Sequence, residues 1–280
     1  MVFTEYLPMS KKKSSMKTEN RRLLISIMLA FIALLSAVGV TVAWFTIADN
    51  TRLRSMDMTV TAGVSLRFDL DAHDSFEEYV KTLGFEEIAA RMEADNGFDM
   101  SVNCLEPVTT TDYSVFTYSD GTGATAESGA YLEFDLHFMA TKDMLVHLTS
   151  ACSEGNSDGT LVSSETKDLP KAMRISFTTG EGIFVYDPGM EPGSENGTGD
   201  DLTPVRIFGL PEADGMTYND DNSLFYMEAG RDYPVTVHIW IEGTDECCTD
   251  ALRNADYAIS MRFEGTDGDN GLLTDYGNED

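Results

Sequence analysis

From Leu23 to Ala48 the chain reads LLISIMLAFIALLSAVGVTVAWFTIA, 26 residues without a charge. About 20 apolar residues suffice to carry a helix across the hydrocarbon of a bilayer. A soluble helix of that length shows a polar stripe, and this run has none. Directly before it stand Lys11, Lys12, Lys13, Lys17, Arg21 and Arg22; directly after it comes Asp49. The bias of basic residues toward the cytoplasmic side predicts an N-terminus inside the cell and a body outside it. Trp44, near the outer end, suits the headgroup zone where amphipathic rings settle. The expected order is a basic leader over 1–22, a signal or transmembrane helix over 23–48, an exported domain over 49–266 and an acidic tail over 267–280.

Two fates for the leader stay open. The run exceeds the roughly 7–15-residue apolar core of a signal peptide, which favours an uncleaved anchor. Thr41-Val42-Ala43 nevertheless places small residues at both positions of an A-x-A-like cleavage pattern, so a cut after Ala43 leaves Trp44 as the new N-terminus. The expected partners are therefore a signal peptidase and the membrane, the latter through residues 23–48.

Charge sets the partners of the body. The whole chain carries a formal net charge of −29, yet residues 1–22 hold six bases and two acids. The acidic excess lies entirely beyond the leader. Such a body repels nucleic acid and anionic membrane surfaces, and it stays dispersed in water.

The leader end Gly39-Val40-Thr41-Val42-Ala43-Trp44-Phe45 resembles that of the TasA/camelysin group of exported bacterial surface proteins, whose leaders end in Gly-Gly-Thr-x-Ala-x-Phe. Val40 stands in place of the second glycine. The segments MDMTVTAGVSLRFDL (56–70) and YPVTVHIWIEGTDECCTD (233–250) are similar to parts of proteins carrying such leaders. The resemblance covers about 40 of the 280 residues. It implies removal by a dedicated signal peptidase, a jelly-roll-like sandwich and a role in surface or biofilm matrix structure. Metallopeptidase activity, described for camelysin-type proteins, is not carried over, because no H-E-x-x-H is present.

The residues of the body point to the same fold class by their own pattern. Leu132, Phe134, Leu136 and Phe138 alternate with Glu133, Asp135 and His137. That period of two marks a strand buried on one face. Met56, Met58 and Val60 alternate likewise, as do Val64, Leu66, Phe68 and Leu70 beyond the turn at Ala62-Gly63. Further strands are expected in 143–152, 204–210, 223–230, 233–243 and 256–265, with a hairpin over 172–189 around Thr179-Gly180-Glu181-Gly182. About nine short strands split by Gly, Asp and Asn turns predict an all-β, jelly-roll-like antiparallel sandwich. One segment breaks the pattern. Phe76, Tyr79, Val80, Leu83, Ile88 and Met92 fall near helical spacing, and Ser75 with Glu78 forms a capping-box signature. A helical insertion is expected over 74–94, whole or broken near Gly84. Segments 119–129, 153–168 and 187–201 are expected as exposed loops.

Little in the chain selects a chemistry. Cys104, Cys152, Cys247 and Cys248 allow three disulfide pairings, of which the adjacent pair is strained. Either Cys247 or Cys248 joins Cys152 or Cys104, or some or all of the four are free thiols. No C-x-x-C or H-x-x-x-H pair suits a structural zinc site. His137 and His147 flank one turn and are expected as a solvated pair across a hairpin. Asp267, Asp269 and Asn270, and separately Asp220 and Asp221, cluster oxygen ligands in tight turns. Both are candidate Ca²⁺ loops without the EF-hand spacing, in residues that are also ordinary turn formers. No cofactor other than Ca²⁺ is implied, and no catalytic motif is present.

The expectation is thus a non-enzymatic exported surface or matrix protein that associates with itself, donating residues near 45–60 as an extended strand to a neighbour. A membrane-tethered module binding carbohydrate or Ca²⁺ is the alternative, and a hydrolase using a clustered acid pair is the third reading.

Overall fold

The computed structural model describes residues 25, 27–30, 52–60, 65–100, 104–150, 159–166, 168–199, 204–212, 223–249, 252 and 255–266. The chain divides into two compact units, Met1–Phe45 and Thr46–Asp280. In the first unit, Ile25 and residues 27–30 are helical, and Ile25, Ile27, Met28 and Leu29 are exposed. Among the described residues no helix is long and apolar enough to cross a membrane. The rest of the 23–48 run lies outside the described residues.

The second unit is built from strands. In chain order they are β1 (Arg52–Val60), β2 (Leu66–Asp69), β3 (Thr82–Leu83), β4 (Pro107–Thr110), β5 (Phe116–Thr117), β6 (Gly123–Ala124), β7 (Leu132–Ala140) and β8 (Met144–Leu148). There follow β9 (Leu161–Ser164), β10 (Met173–Thr179), β11 (Gly182–Tyr186), β12 (Glu195–Gly199), β13 (Pro204–Phe208), β14 (Phe225–Met227), β15 (Tyr233–Glu242) and β16 (Asp256–Thr266). The smaller sheet runs β14-β8-β16-β1-β3, with β9 also on β16. The larger runs β12-β13-β11-β10-β15, where β15 pairs with both β4 and β7; β5 and β6 extend from β4, and β2 from β7.

Both sheets are mixed, which corrects the expectation of a purely antiparallel fold. β1 pairs with β16 in parallel, from Arg52 opposite Asp256 to Val60 opposite Phe263. β11 and β13, and β15 and β4, are also parallel pairs. Parallel neighbours need long connections, so nothing local in the sequence announces them.

The main core lies between the sheets. Phe263 of β16 approaches Phe138 at 5.1 Å, Phe177 at 5.9 Å and Phe68 at 6.0 Å between ring centres, all near edge-on. Edge-to-face packing of this kind is worth about 0.5–1.5 kcal/mol per pair beyond the area buried. The alternating residues of β7 behave as their period predicts: Leu132, Phe134, Leu136 and Phe138 are all buried. The hairpin is present too, with Thr179 opposite Gly182 closing a two-residue turn at Gly180-Glu181.

A second apolar layer covers the opposite face of the larger sheet. Ile239 and Ile241 of β15 belong to the main core, while Trp240 between them points the other way. Trp240 is covered by Phe116 at 5.2 Å, and Phe116 stacks on Tyr131 at 4.2 Å. Ala124, Ala126 and Ala130 join this cluster. The 119–129 stretch is largely exposed, as expected, but Ala124 and Ala126 fold it through β6 onto the sheet. Likewise 187–201 contains the edge strand β12, and 153–168 contains β9.

The expected insertion is a 3-10 turn, Phe76–Glu78, then β3, then a helix over Phe85–Asn96. Glu78 accepts from the Ser75 backbone N–H at 3.3 Å and hydroxyl at 3.0 Å, as the capping pattern predicts. Gly84 is the N-cap of the helix, and Gly97 ends it in the left-handed region at φ 66°. Ile88 and Met92 are its buried face.

His147 corrects another expectation. β7 and β8 enter different sheets, so their turn is an arch and not a hairpin. His147 is fully buried on β8, its Nε2 2.9 Å from the Thr266 hydroxyl.

Candidate functional site

The body's first strand occupies an interior place. β1 lies between β16 on one side and β3 on the other. Met56, Met58 and Val60 face the core, as their alternation predicts. Residues 52–60 are thus paired in their own sheet and are not a free arm. On the outer face, the Ser260 hydroxyl donates to Asp57 at 2.9 Å, and Arg262 lies 3.7 Å from the same carboxylate.

The cover over the far edge of β1 is short. Met58 pairs with Leu83 and Thr59 with Thr82, and the Val60 N–H donates to Lys81 at 2.9 Å. One residue earlier, Val80 exchanges two backbone hydrogen bonds with Phe68 of β2, each 3.0 Å. Residues 80–83 therefore stitch the two sheets together.

A polar cluster fastens this strap. Arg67 Nη1 donates to the carbonyls of Phe76, Glu77 and Tyr79 at 3.2–3.3 Å. The Tyr79 hydroxyl donates to Asp232 Oδ1 at 2.8 Å and accepts from the His73 N–H at 3.0 Å. His137 Nδ1 stands 2.9 Å from Asp232 Oδ2. His73 lies 3.3 Å from Asp69, and Arg91 lies 2.6 Å from Asp71. Burial pushes the Tyr79 phenol up to about 12, with Asp232 adding to it, so the phenol remains a donor at neutral pH. The hydrogen bond from Arg91 holds the Asp71 carboxyl below its ordinary value. Strand alternation placed His137 outward, but its partner Asp232 lies 95 residues away, and no short motif signals that pairing.

Where β1, β16 and β9 begin or end together, a groove of about 490 Å³ opens on the smaller sheet. Arg54, Ser163, Glu165, Asp256 and Ala258 line it. Arg54 is bound to the Asp256 carboxylate, which raises its pKa above the usual guanidinium value. Sequence reading missed this groove because its walls come from three separate segments.

Of the residues singled out from sequence, Thr41, Ala43 and Trp44 lie outside the described residues. So do Asp220, Asp221, Asp267, Asp269, Asn270 and Cys152. Cys247 and Cys248 are free thiols, so neither joins Cys104. Burial pushes the Cys248 thiol up to about 12, and Asp245 and Glu242 push in the same direction. Among the described residues no three His, Cys, Asp or Glu side chains are arranged to hold a metal ion.

No protein-family model, curated protein or solved structure matches this chain.

Proposed function

We propose that this chain is an exported, non-enzymatic building block of a cell surface or extracellular matrix, with a jelly-roll-like body that associates with itself through β1. The leader supports export: a basic head, an uncharged run and an acidic body in that order. The observation that carries the assembly reading is the place of β1. It is the first strand of the body, it sits between β16 and the two-residue β3, and its main partner comes from the far end of the sequence. A terminal strand in such a slot exchanges between copies at low cost, because the same contacts form within and between molecules. Exchange that does not close on itself gives filaments. Signal peptidase and the membrane, through residues 23–48, are the proposed partners on the way out; nucleic acid is not a partner of so acidic a body.

A cysteine lock tests the assembly step. Asp57 and Ser260 are register partners on the outer face. The double variant D57C/S260C, oxidised as a monomer, holds β1 in its own sheet. Electron microscopy is expected to show filaments for the parent chain and for the reduced variant, and dispersed particles for the oxidised one. Filaments of equal yield from the oxidised variant, or none from the parent across salt and pH, overturn the reading. Mass-spectrometric mapping of the mature N-terminus in cell fractions tests export: a start at Trp44 in the medium or wall fraction is expected.

A further inference from the structure

The groove at the β1–β16–β9 end has groups to spare. Asp256 is committed to Arg54, and the Ser164 hydroxyl to the Asp256 carbonyl at 2.7 Å and the Thr166 N–H at 3.1 Å. Ser163, paired with Ala258 through the β9–β16 ladder, and Glu165, whose charge acts on Arg54, are exposed and line the groove. Arg54 is 72% exposed and has five N–H donors, only part of which the Asp256 pair uses. Ala258, a small residue on the central strand, leaves room between these walls. The groove thus presents a guanidinium, a carboxylate and a hydroxyl with unspent capacity, in an open cleft of about 490 Å³ on the surface.

Chemistry narrows what fits. A phosphate or sulfate meets two carboxylates against one guanidinium, in a domain already strongly acidic. A metal or organic cation meets the Arg54 charge at short range. An apolar ligand strips water from charged groups and returns no hydrogen bond. A neutral ligand dense in adjacent donors and acceptors avoids all three costs. Vicinal hydroxyls provide that: a carboxylate accepts from both, and a planar guanidinium donates to neighbouring oxygens in the same plane.

We propose that this groove binds a neutral oligosaccharide, with Glu165 and Arg54 as the paired recognition groups and Ser163 as a third contact. Arg54 belongs to β1, so the site shares a strand with the exchange proposed above, but E165Q and S163A lie at β9 and leave β1's pairing and buried face intact, so a failure of binding is distinguishable from a failure of assembly. Calorimetric titration of the full-length chain with cellotetraose, chitotetraose and maltotetraose is the test. At least one is expected to bind with a low-millimolar or tighter Kd. E165Q is expected to weaken that binding about tenfold and S163A severalfold. The side chains of Glu165 and Ser163 are exposed, so folding is retained, which circular dichroism checks. Absence of heat from all three sugars overturns the proposal, as does binding that E165Q and S163A leave unchanged.

Discussion

Met58 and Met261 lie opposite each other in parallel register, and both are wholly buried. Among the described residues, one belongs to the first strand of the body and the other to the last. The core is therefore closed by the two ends of the domain.

Met58→Ala is expected to lower the unfolding free energy by about 2–5 kcal/mol, the usual range for truncating a buried methionine. Thr59→Ala, one residue along on the half-exposed face, is expected to change it by less than about 1 kcal/mol. Urea unfolding followed by fluorescence measures both. Equal small effects at the two positions sink the assignment of β1 as an interior strand.

Glu133 gives a pH dependence of definite sign. The hydrogen bond from His238 Nε2, 3.0 Å away, holds its carboxyl below the ordinary value despite partial burial. A depressed carboxylate stabilises the fold above its unfolded pKa and loses that contribution as pH falls through the folded one. The side chain is 42% exposed, so solvent screens the effect and it is modest. Asp187 opposes it: burial raises its carboxyl even though Arg174 lies 3.0 Å away, so its contribution improves as pH falls. Glu133→Gln is expected to flatten the acid limb of a stability–pH curve taken between about pH 3 and pH 7. An unchanged acid limb contradicts the assignment.

Cys247 and Cys248 are expected to behave as unreactive thiols. Burial raises both pKa values, so little thiolate is present at neutral pH. Native protein treated with iodoacetamide is expected to label Cys248 very slowly and Cys247 faster, because Cys247 is the more exposed. After denaturation without reductant, both are expected to be alkylated in full. A mass pattern requiring reductant at either position refutes this.

Much of the fold follows from short-range pattern. The alternation of Leu132 to Phe138, the hairpin at Gly180-Glu181 and the cap of Glu78 on Ser75 are all local, and each appears where the spacing places it. What escaped is long-range or built from small residues. Ala124, Ala126 and Ala130 lie among Gly, Ser and Thr, so the segment reads as polar loop although it seals Trp240. The parallel pairing of β1 with β16 depends on residues some two hundred positions apart. His147 was expected in water because a turn separates it from His137, and turns look alike whether they join one sheet or two. The groove was illegible for the same reason: Arg54, Glu165 and Asp256 are neighbours only after folding.

Because the opening strand finds its parallel mate only in Asp256–Thr266, the domain cannot close while its chain is still emerging from a ribosome or a narrow conduit. Almost the whole polypeptide has to arrive before the first strand is satisfied. The nascent molecule therefore travels with that strand uncommitted until Asp256–Thr266 arrives as the clasp that completes the sheet.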